Sequence, residues 1–596
     1  MNKSNSESKK LEKMRHSCEH VLHQAMVELF PGLKRAMGPA TEEGFYHDFD
    51  YHGKVSEDDF PKIEKRIKEI IKKDLLFIRQ EISLAEARKL FKDNQYKQEW
   101  LNEIQDKKEK AIIYWTGKPY QTGSDVDLCS GPHLESTGKI GPFKLLKIAG
   151  AYWRGDEKNK MLTRIYGTCF STQKELDNYL WQVEEAKKRD HRKLGKELDL
   201  FSFHPEAPGD VFWHPKGLII MHQLMKYWRK VHQRDGYQEV RTPEILTREI
   251  WNQSGHTKNY LEKMYRVLSP DAKKWDMAVK PMNCNGGMLI YKTKPKSYKE
   301  FPLKVGELGV VHRYEGSGEL HGIIRPREFT QDDAHIYCTP QQVKEELKKV
   351  IDLCFEIYEA CDLKINHIEL STRPEKSIGS DEVWEKAETI MKQVLKEKKV
   401  SHQINEGDGA FYGPKFDFHL QDTLGRTWQC ATIQLDFAQP ENFNLEYITP
   451  QGTRQRPVMI HRTIYGSLER FIGILIENCA GAFPFWLAPV QVKIIPITDH
   501  HQEYGKKILQ KLLAEEIRAE IDDRSETMSA KVRDATLQKT PFMIIIGDKE
   551  LKRSRFEVRG SKEMFISART REGKDLGQMS LDQFLTKIKN KLEKKI

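Results

Sequence analysis

The chain has 596 residues, and its 98 lysines and arginines exceed its 88 aspartates and glutamates, for a formal net charge of +10 at pH 7. This length predicts about four folding units, and a hydrophobic content of 38% excludes a wholly disordered chain. So small a net charge permits a polyanionic partner without requiring one.

Nine cysteines are scattered along the chain, and none belongs to a C-x-x-C motif. An odd, dispersed set argues against a disulfide framework and against an ordinary zinc ribbon. The polar N-terminus lacks the apolar core of a signal peptide, and no apolar run approaches the roughly 18 residues of a membrane span. We therefore expect a cytoplasmic protein with no membrane partner.

The first third of the chain mixes helical and strand-like segments. Residues 1–10 predict a disordered polar tail, and residues 11–172 predict one domain that contains the helical HVLHQAMVELF and the aromatic GAYWRGDEKNKMLTRIYG. Residues 173–200 carry apolar side chains at helical spacing and a dense charged face. This pattern predicts one long linker helix, with a domain boundary near its C-terminal end.

The remaining two thirds predict two further domains. Residues 201–489 contain strand-like runs such as YQEVRTPEIL and RTWQCATIQLDF, with helices between them in no regular alternation. This favours an α+β domain with a mainly antiparallel sheet. Residues 490–596 predict strand, helix, strand, helix and strand, which is a compact α/β module.

Neither a phosphate-binding loop nor a dinucleotide-binding glycine motif is present. If the protein binds a nucleotide, side chains must hold the phosphates, and arginine does so through bidentate hydrogen bonds. Arg313 and Glu315 flank a glycine-bearing turn, Arg325 and Arg327 follow it, and Arg470 lies in an apolar helical segment. Taken singly, each arginine is more readily explained as a surface residue in an ion pair.

The order of these segments is specific. Arg313-Tyr314-Glu315, the later Arg325 and the string GSLER that ends at Arg470 resemble motifs 2 and 3 of the class II aminoacyl-tRNA synthetases, and GYQEVRTPEIL lies where motif 1, the dimer-forming element, is expected. Longer strings resemble the threonyl-tRNA synthetase family, in the same order along the chain: KPMNC, RPREFTQDDAHIYC, LSTRPEKSIGSDEVW, GAFYGPK, TWQCATIQLDF, PVMIHR and GSLERFIGIL. No segment resembles the ubiquitin-like TGS domain that commonly precedes the editing domain in that family, so we expect a chain lacking it.

The resemblance implies both an architecture and a reaction. It implies an α+β editing domain at 11–172, a class II catalytic domain at 201–489 and an anticodon-binding domain at 490–596. The implied enzyme is a threonine–tRNA ligase, which activates L-threonine with ATP to threonyl-adenylate and transfers it to tRNA(Thr). A homodimer is also implied.

The resemblance implies one Zn²⁺ per subunit, held by Cys284, His335 and His461. One thiolate and two imidazoles with an open fourth position are typical of a functional zinc site rather than a structural one. A site that engages the threonine hydroxyl can reject the isosteric valine by roughly 10⁴-fold. The residues implied around the amino acid are Gln331, Asp333, Tyr412 and Gln429.

For ATP, used with Mg²⁺, the resemblance implies that Arg313 binds the α-phosphate and Arg470 the γ-phosphate. Glu315 is expected on the adenine side, and Lys415 is expected to add positive charge near the reacting centre. Arg325 and Gln434 complete the implied nucleotide site. Positioning and charge neutralisation dominate this kind of reaction.

Serine differs from threonine by one methyl group, worth about 1–3 kcal/mol, so a second, hydrolytic site is expected. Two patterns in the first domain fit: an H-x-x-x-H pair one helical turn apart and a C-x-x-x-H pair. By themselves these patterns also allow a metal site. The resemblance instead implies an editing site for Ser-tRNA(Thr) without an essential metal, formed by His16, His20, Lys97, Asp127, Cys129 and His133.

Arg533, Glu550 and Arg559 align with anticodon-contacting positions of the family, although as isolated residues they would be ordinary surface charges. Two departures from the family pattern stand out. Asn285-Gly286-Gly287 replaces the usual Pro-Gly-His, and Ser525 replaces an asparagine at an anticodon contact.

Two other functions compete with a threonine–tRNA ligase. One is a binding or regulatory paralogue that kept the fold and lost catalysis, and the other is a relative that charges serine or proline. The presence of the motif arginines and of all three implied zinc ligands argues against a non-catalytic paralogue: Arg313, Arg470, Cys284, His335 and His461. The same zinc ligands together with Gln331-Asp332-Asp333 argue against a serine or proline enzyme.

Overall fold

The computed structural model describes residues 2–556 and 563–594. The chain divides into two compact units, Met1–Glu184 and Glu185–Ile596. Among the described residues, no helix combines the length and the apolar character needed to cross a membrane.

Among its described residues, the first unit contains seven strands in two antiparallel sheets, of order β1-β2-β7-β6 and β3-β4-β5. The strands are β1 (Lys34–Met37), β2 (Phe45–Asp50), β3 (Phe77–Ile82), β4 (Ala111–Thr116), β5 (Asp125–Leu128), β6 (Phe143–Tyr152) and β7 (Met161–Cys169). The helices are α1 (Asn2–Leu29), α2 (Phe60–Lys72), α3 (Leu84–Leu90) and α4 (Gln95–Asp106), and α5 (Gln173–Arg189) contains the boundary between the units.

Helix α1 organises the first unit. Its residues Cys18, Val21, Leu22 and Met26 are buried at helical spacing in the same cluster as the apolar face of α2. The helix begins at Asn2, so the prediction of a disordered tail at 1–10 is wrong for the described residues. No proline or glycine occurs between Asn2 and Leu29, so nothing in this sequence interrupts the helix between its buried part and Asn2.

The predicted single linker helix at 173–200 is also wrong. The structure has two helices here, α5 and α6 (His191–Glu197), separated by Asp190. Asp190 has non-helical backbone angles (φ −49°, ψ 121°), and its side chain accepts a hydrogen bond from the N–H of Arg192. An aspartate that caps the next helix N-terminus ends the previous helix.

The second unit is built on an eight-stranded sheet of order β10-β15-β16-β23-β20-β19-β17-β18. Its inner pairs are antiparallel and only the two edge pairs are parallel, which confirms the predicted mainly antiparallel sheet. Its strands are β10 (Gln238–Glu239), β15 (Leu303–His312), β16 (Glu328–Cys338), β17 (Lys364–Ser371), β18 (His402–Asn405), β19 (Lys415–Gln421), β20 (Thr427–Asp436) and β23 (Val458–Thr463). Shorter strands surround it: β8 (Phe201–Ser202), β9 (Phe212–Trp213), β11 (Ile245–Thr247), β12 (Arg266–Val267), β13 (Met277–Val279), β14 (Lys296–Ser297), β21 (Tyr447–Ile448) and β22 (Arg454–Gln455).

Helices cover one face of this sheet because its strands alternate in character. On β16, Ile336 and Cys338 join a large apolar core with α11 and α14, whereas Gln331, Asp333 and His335 alternate with them along the strand and share the opposite face. The helices that follow α6 in the larger part of the unit are α7 (Pro215–Arg234), α8 (Arg248–Gln253), α9 (His256–Asn259), α10 (Cys284–Lys292), α11 (Val343–Ala360), α12 (Asp381–Glu397), α13 (Gln439–Asn442) and α14 (Leu468–Asn478).

The C-terminal part is the predicted α/β module. Its five-stranded sheet has the order β25-β24-β26-β27-β28, with parallel pairs at β24 and antiparallel pairs beyond β26. The elements are β24 (Val492–Pro496), α15 (Gln502–Ala514), β25 (Ala519–Ile521), α16 (Met528–Leu537), β26 (Phe542–Ile546), α17 (Asp548–Phe556), β27 (Phe565–Thr570), β28 (Asp575–Ser580) and α18 (Leu581–Lys594).

Candidate functional site

The polar face of the eight-stranded sheet forms the floor of a cavity of about 540 Å³. Apart from Lys415 and His335, all residues predicted for the amino acid, ATP and metal line it: Cys284, Arg313, Glu315, Arg325, Gln331, Asp333, Tyr412, Gln429, Gln434, His461 and Arg470. The structure therefore gathers side chains that lie up to 186 positions apart in the sequence.

The turn after β15 is held by charge pairs. The Glu315 carboxylate accepts hydrogen bonds from Lys263 Nζ at 2.8 Å and from Arg325 Nη2 at 3.0 Å. Arg327 donates to the backbone oxygen of Glu315, and Arg313 Nε donates to the backbone oxygen of Pro281 at 3.2 Å. Arg313 is thus oriented on the cavity wall, while Arg327 supports the turn itself. Lys263 was missed in the sequence because it precedes Glu315 by 52 positions.

Arg470 is placed by the start of α14. Ser467 caps this helix and accepts the Arg470 N–H at 3.0 Å. Gly466 has a φ of +79°, and a Cβ atom there would lie 2.7 Å from the Cys430 carbonyl oxygen, so glycine is required. Asp332 holds the preceding backbone by accepting the N–H groups of Ile464 at 2.9 Å and Gly466 at 3.1 Å.

Two of the predicted metal ligands, Cys284 and His461, line the cavity, and the third, His335, lies beside His461. His335 and His461 are direct partners in the β16–β23 register, with ring centroids 4.9 Å apart, and Cys284 is the first residue of α10. Among the described residues, the three ligand atoms are not all within 4.8 Å of one another. His461 Nε2 instead lies 2.8 Å from Asp436 Oδ2.

These side chains nevertheless fit a zinc ion. Within the described part of the chain, the buried Nε2 of His335 has no hydrogen-bond partner. Burial lowers the pKa of the His335 imidazole and raises that of the Cys284 thiol, so both are neutral until an ion binds. A neutral imidazole and a thiol that loses its proton to the metal are the donors that zinc prefers.

Hydrogen bonds to neighbouring side chains hold two of the residues predicted to bind threonine, Tyr412 and Gln429. Tyr412 donates its hydroxyl hydrogen to Gln434 Oε1 at 2.6 Å, and Gln429 Nε2 donates to Asp417 Oδ1 at 2.7 Å. Lys415 lies beside the cavity and pairs with Asp417 at 3.0 Å. Asp417 was not predicted, although its position two residues after Lys415 on one strand puts both on the same face.

The first unit has a cavity of about 500 Å³, lined by His16, His20, Lys97, Asp127 and Cys129. Cys129 Sγ lies 3.4 Å from His16 Nε2 and 3.3 Å from the Nε2 of His133, the remaining predicted residue. The two histidines of α1, the lysine of α4 and the segment after β5 therefore converge. The ligand atoms of His16, His20, Cys129 and His133 all lie within 4.8 Å of one another, so the metal alternative stays open.

Burial makes this histidine cluster neutral. It lowers the pKa of His16 and His20, lowers that of His133 to about 2, and raises that of Cys129 to about 12. Neutral imidazoles can accept a proton from a water molecule or a ribose hydroxyl. The cluster therefore offers proton acceptors rather than fixed charge.

A buried ion pair lies behind the histidines. Lys97 Nζ is 2.9 Å from the Asp127 carboxylate, and both side chains are almost fully buried. Burial raises the pKa of Asp127, but the charge of Lys97 and the surrounding cations outweigh it and hold this pKa well below its usual range. His23 and Arg35, which were not predicted, pair with Asp125 at 2.9 and 2.6 Å. The helical continuation from His16 and His20 to His23 was the available signal.

The residues predicted to contact the anticodon differ in exposure. The side chain of Arg533 on α16 is 73% exposed. Glu550 is buried, and its carboxylate accepts hydrogen bonds from Gly547 N at 2.9 Å, Ser567 Oγ at 2.7 Å and Gln578 Nε2 at 3.1 Å. An anticodon base that hydrogen-bonds the Glu550 carboxylate must share its oxygens with these three donors. Arg559 lies outside the described residues.

Comparison with known families matches these parts of the chain. Residues 265–479 match the tRNA synthetase class II core domain (G, H, P, S and T), and residues 491–591 match an anticodon binding domain. Residues 119–166 match the threonyl and alanyl tRNA synthetase second additional domain. The fold and the cavity on its sheet are therefore those of a class II aminoacyl-tRNA synthetase.

Individual relatives narrow this class. The threonine–tRNA ligase of Desulforamulus reducens is 51% identical over 583 residues, covering 98% of this chain and 88% of the relative. That of Caldanaerobacter subterraneus subsp. tengcongensis is 52% identical over 575 residues, covering 96% and 86%. A crystal structure of the RNA binding domain of threonyl-tRNA synthetase from Cryptosporidium parvum Iowa II superposes with a TM-score of 0.63 at 37% identity, covering 67% of this chain and 98% of that one. The chain belongs to the threonine–tRNA ligase family.

Proposed function

We propose that this protein activates L-threonine with ATP, transfers the threonyl group to tRNA(Thr) and hydrolyses Ser-tRNA(Thr). The observation that carries the proposal is the single cavity in which the two motif arginines, the predicted threonine-binding residues and two of the predicted zinc ligands meet. We infer a homodimer, since the motif 1 segment is the dimer-forming element of this class. We infer a cytoplasmic location, since the charging of tRNA serves translation.

Arg313 and Arg470 bind the phosphates of ATP, which enters with Mg²⁺. Arg313 is fixed by one hydrogen bond to a backbone carbonyl and Arg470 by two, to Gln429 and Ile324. These bonds orient both guanidinium groups toward the cavity before the nucleotide arrives. Preorganised cations stabilise the charge that develops as the threonine carboxylate attacks the α-phosphorus in line and pyrophosphate leaves. Glu315 is locked by Lys263 and Arg325 and contacts the adenine side, and Gln434 lines the same nucleotide site.

The amino acid binds at the Cys284, His335 and His461 end. When these residues hold zinc, the ion supplies a Lewis acid for the amino group and hydroxyl of threonine. Asp333 lies on the same strand face as His335 and accepts the hydroxyl hydrogen, while Gln331, Tyr412 and Gln429 surround the substrate. Valine cannot make the hydroxyl contacts and would leave buried polar groups unpaired, which is why the site rejects it.

Threonine-dependent ATP–pyrophosphate exchange tests the activation step. Exchange should be strong with threonine, measurable with serine and negligible with valine or proline. If exchange required proline or serine and ignored threonine, the chain would charge another amino acid. Absence of exchange with all four substrates would indicate the non-catalytic paralogue.

Metal analysis tests the zinc assignment. Cys284→Ser should lose the bound zinc and threonine activation together, whereas Cys479→Ser, which changes a cysteine at the end of α14, should keep both. A Cys284→Ser protein that retains zinc and exchange activity would refute the ligand set.

The editing assignment rests on the neutral cluster in the first unit. The double substitution His20→Ala with Cys129→Ala should abolish deacylation of Ser-tRNA(Thr) and leave threonylation intact. His52→Ala alters an exposed histidine of the same unit and serves as the control. Unchanged deacylation in the double variant would contradict the assignment, and a stoichiometric metal lost only from that variant would favour the metal alternative.

A further inference from the structure

A second group of metal-binding side chains lies on the catalytic sheet, away from Cys284, His335 and His461. We propose that His367, Glu369 and His419 form a binding site for a divalent transition-metal ion such as Zn²⁺ or Co²⁺. The site goes beyond the proposed ligase function, because that reaction assigns no role to any of the three residues.

Strand pairing brings the ligands together. His367 and His419 are direct partners in the antiparallel β17–β19 register, and Glu369 is two residues further along β17 on the same face. The two imidazole rings are stacked with centroids 4.5 Å apart and an interplanar angle of 6°. One ligand atom from each residue lies within 4.8 Å of the other two.

Both rings direct the same nitrogen toward one carboxylate. His367 Nε2 is 3.1 Å from Glu369 Oε1, and His419 Nε2 is 3.5 Å from Glu369 Oε2. A small movement of the side chains would bring two imidazole nitrogens and a carboxylate oxygen to bonding distance of one ion. This donor set suits zinc, cobalt, nickel and copper rather than magnesium or calcium.

Neighbouring amides hold the ligands in place. The side-chain amide of Asn366 lies 3.1 Å from Nδ1 of His367, and Asn405 Nδ2 donates to Glu369 Oε2 at 3.2 Å. A metal-bound imidazole donates its other ring N–H to an acceptor, so the Asn366 amide must turn to present its oxygen, in place of Nδ2, to His367 Nδ1 when an ion binds. The three ligand side chains are 17–22% exposed, so an ion can enter from solvent and bind water in its remaining positions.

The site is connected to the active-site strand. Asn405 also donates to Asp408 at 3.4 Å, and Lys415 Nζ donates to the same Asp408 oxygen at 3.1 Å. His419 is in addition the register partner of Gln429 on β20. An ion held here would therefore lie next to the strands that carry Lys415 and Gln429.

Equilibrium dialysis of the full chain against Co²⁺ tests the proposal. The unsubstituted protein should bind one more ion per chain than His419→Ala or Glu369→Gln, with the other metal sites unchanged in all three. His402→Ala serves as the matched control, because this histidine lies on the neighbouring strand β18 and contacts the Val400 carbonyl instead of the cluster.

The two variants protect the test against misfolding. Glu369→Gln keeps the size and hydrogen-bonding capacity of the side chain, so its stoichiometry decides the result if His419→Ala is poorly folded. The loss of one equivalent in Glu369→Gln, with none lost in His402→Ala, is the expected result. Equal Co²⁺ binding by the unsubstituted chain and Glu369→Gln would overturn the proposal.

Discussion

Arg470 donates its Nε hydrogen to the backbone carbonyl of Gln429 across 2.9 Å. The bond joins the first turn of α14 to β20, the strand that also carries Gln434. The cation expected to hold the ATP phosphates is therefore fixed directly to the strand expected to contact the amino acid. This arrangement sets the relative position of the two substrates.

Arg470→Lys tests the importance of that orientation. Lysine retains the positive charge but has neither the Nε–H nor the planar fork, so it cannot bind Gln429 and a phosphate in the same geometry. Loss of a hydrogen bond to a charged group is worth about 1.5–3 kcal/mol, which corresponds to a decrease of roughly 10- to 100-fold in kcat/KM for ATP. ATP–pyrophosphate exchange measures it, with Arg266→Lys on the short strand β12 as the control. Equal kcat/KM values for the Arg470→Lys variant and the unsubstituted protein would show that charge alone is sufficient.

The Lys97–Asp127 pair predicts strong energetic coupling. Both side chains are buried, so removing one partner leaves an uncompensated charge, which typically costs about 3–5 kcal/mol. Lys97→Met and Asp127→Asn should each lower the thermal stability of the protein, and the double variant should lose much less than the sum of the two. The exposed pair Arg79 and Glu81, at a similar 2.8 Å, should show almost no coupling in the same double-mutant cycle. If the double variant lost as much stability as the Lys97→Met and Asp127→Asn variants together, the two buried charges would not be energetically coupled.

The departure from Pro-Gly-His in α10 yields a paired prediction. A Cβ atom at Gly286 would lie 2.6 Å from the Thr242 side chain, whereas a Cβ at Gly287 would lie 3.7 Å from His335 Nδ1. Gly286→Ala should therefore destabilise the protein, because Thr242 is buried and cannot easily move. Gly287→Ala should be neutral or stabilising by up to about 1 kcal/mol, since alanine is the better helix former. Thermal unfolding midpoints of the two variants distinguish these outcomes. A Gly286→Ala protein more stable than the Gly287→Ala protein would show that α10 moves to make room for the added methyl group.

The sequence was most informative where a physical pattern is local. Strand-like runs with helices in no regular alternation predicted a mainly antiparallel sheet in residues 201–489, and the structure has one. Helical periodicity gave a wrong prediction at Asp190, because the apolar spacing continues from α5 into α6. The capping side chain of Asp190 is the local signal that separates the two helices.

The positions of the predicted zinc ligands along the sequence do not show that these residues meet in the fold. Cys284, His335 and His461 come together only because β16 pairs with β23 and α10 begins beside them, and a sheet register depends on the whole core. These residues were found through resemblance to a family. Lys263 and Asp417 were missed because their significance lies in the partners they meet after folding, Glu315 and Lys415.

Glu469 provides a prediction about pH. This residue precedes Arg470 in α14, and its carboxylate accepts the Thr330 N–H at 2.8 Å. Burial raises its pKa to about 7, which the bond from Thr330 only partly offsets. The folded protein therefore binds this proton more tightly than the unfolded chain does, for which the ordinary value is 4.5.

The contribution of Glu469 to stability is accordingly complete below about pH 4.5 and is lost as the pH rises through about 7. Glu469→Gln cannot ionise but can still accept the Thr330 N–H, so the variant should gain stability relative to the unsubstituted protein between these pH values, by at most on the order of 3 kcal/mol. Thermal midpoints of both proteins at pH 5, 6, 7 and 8, in roughly unit steps across this range, measure the difference. A difference that stays constant across the series would mean that the folded and unfolded chains bind this proton equally well, and burial would then not govern the ionisation of Glu469.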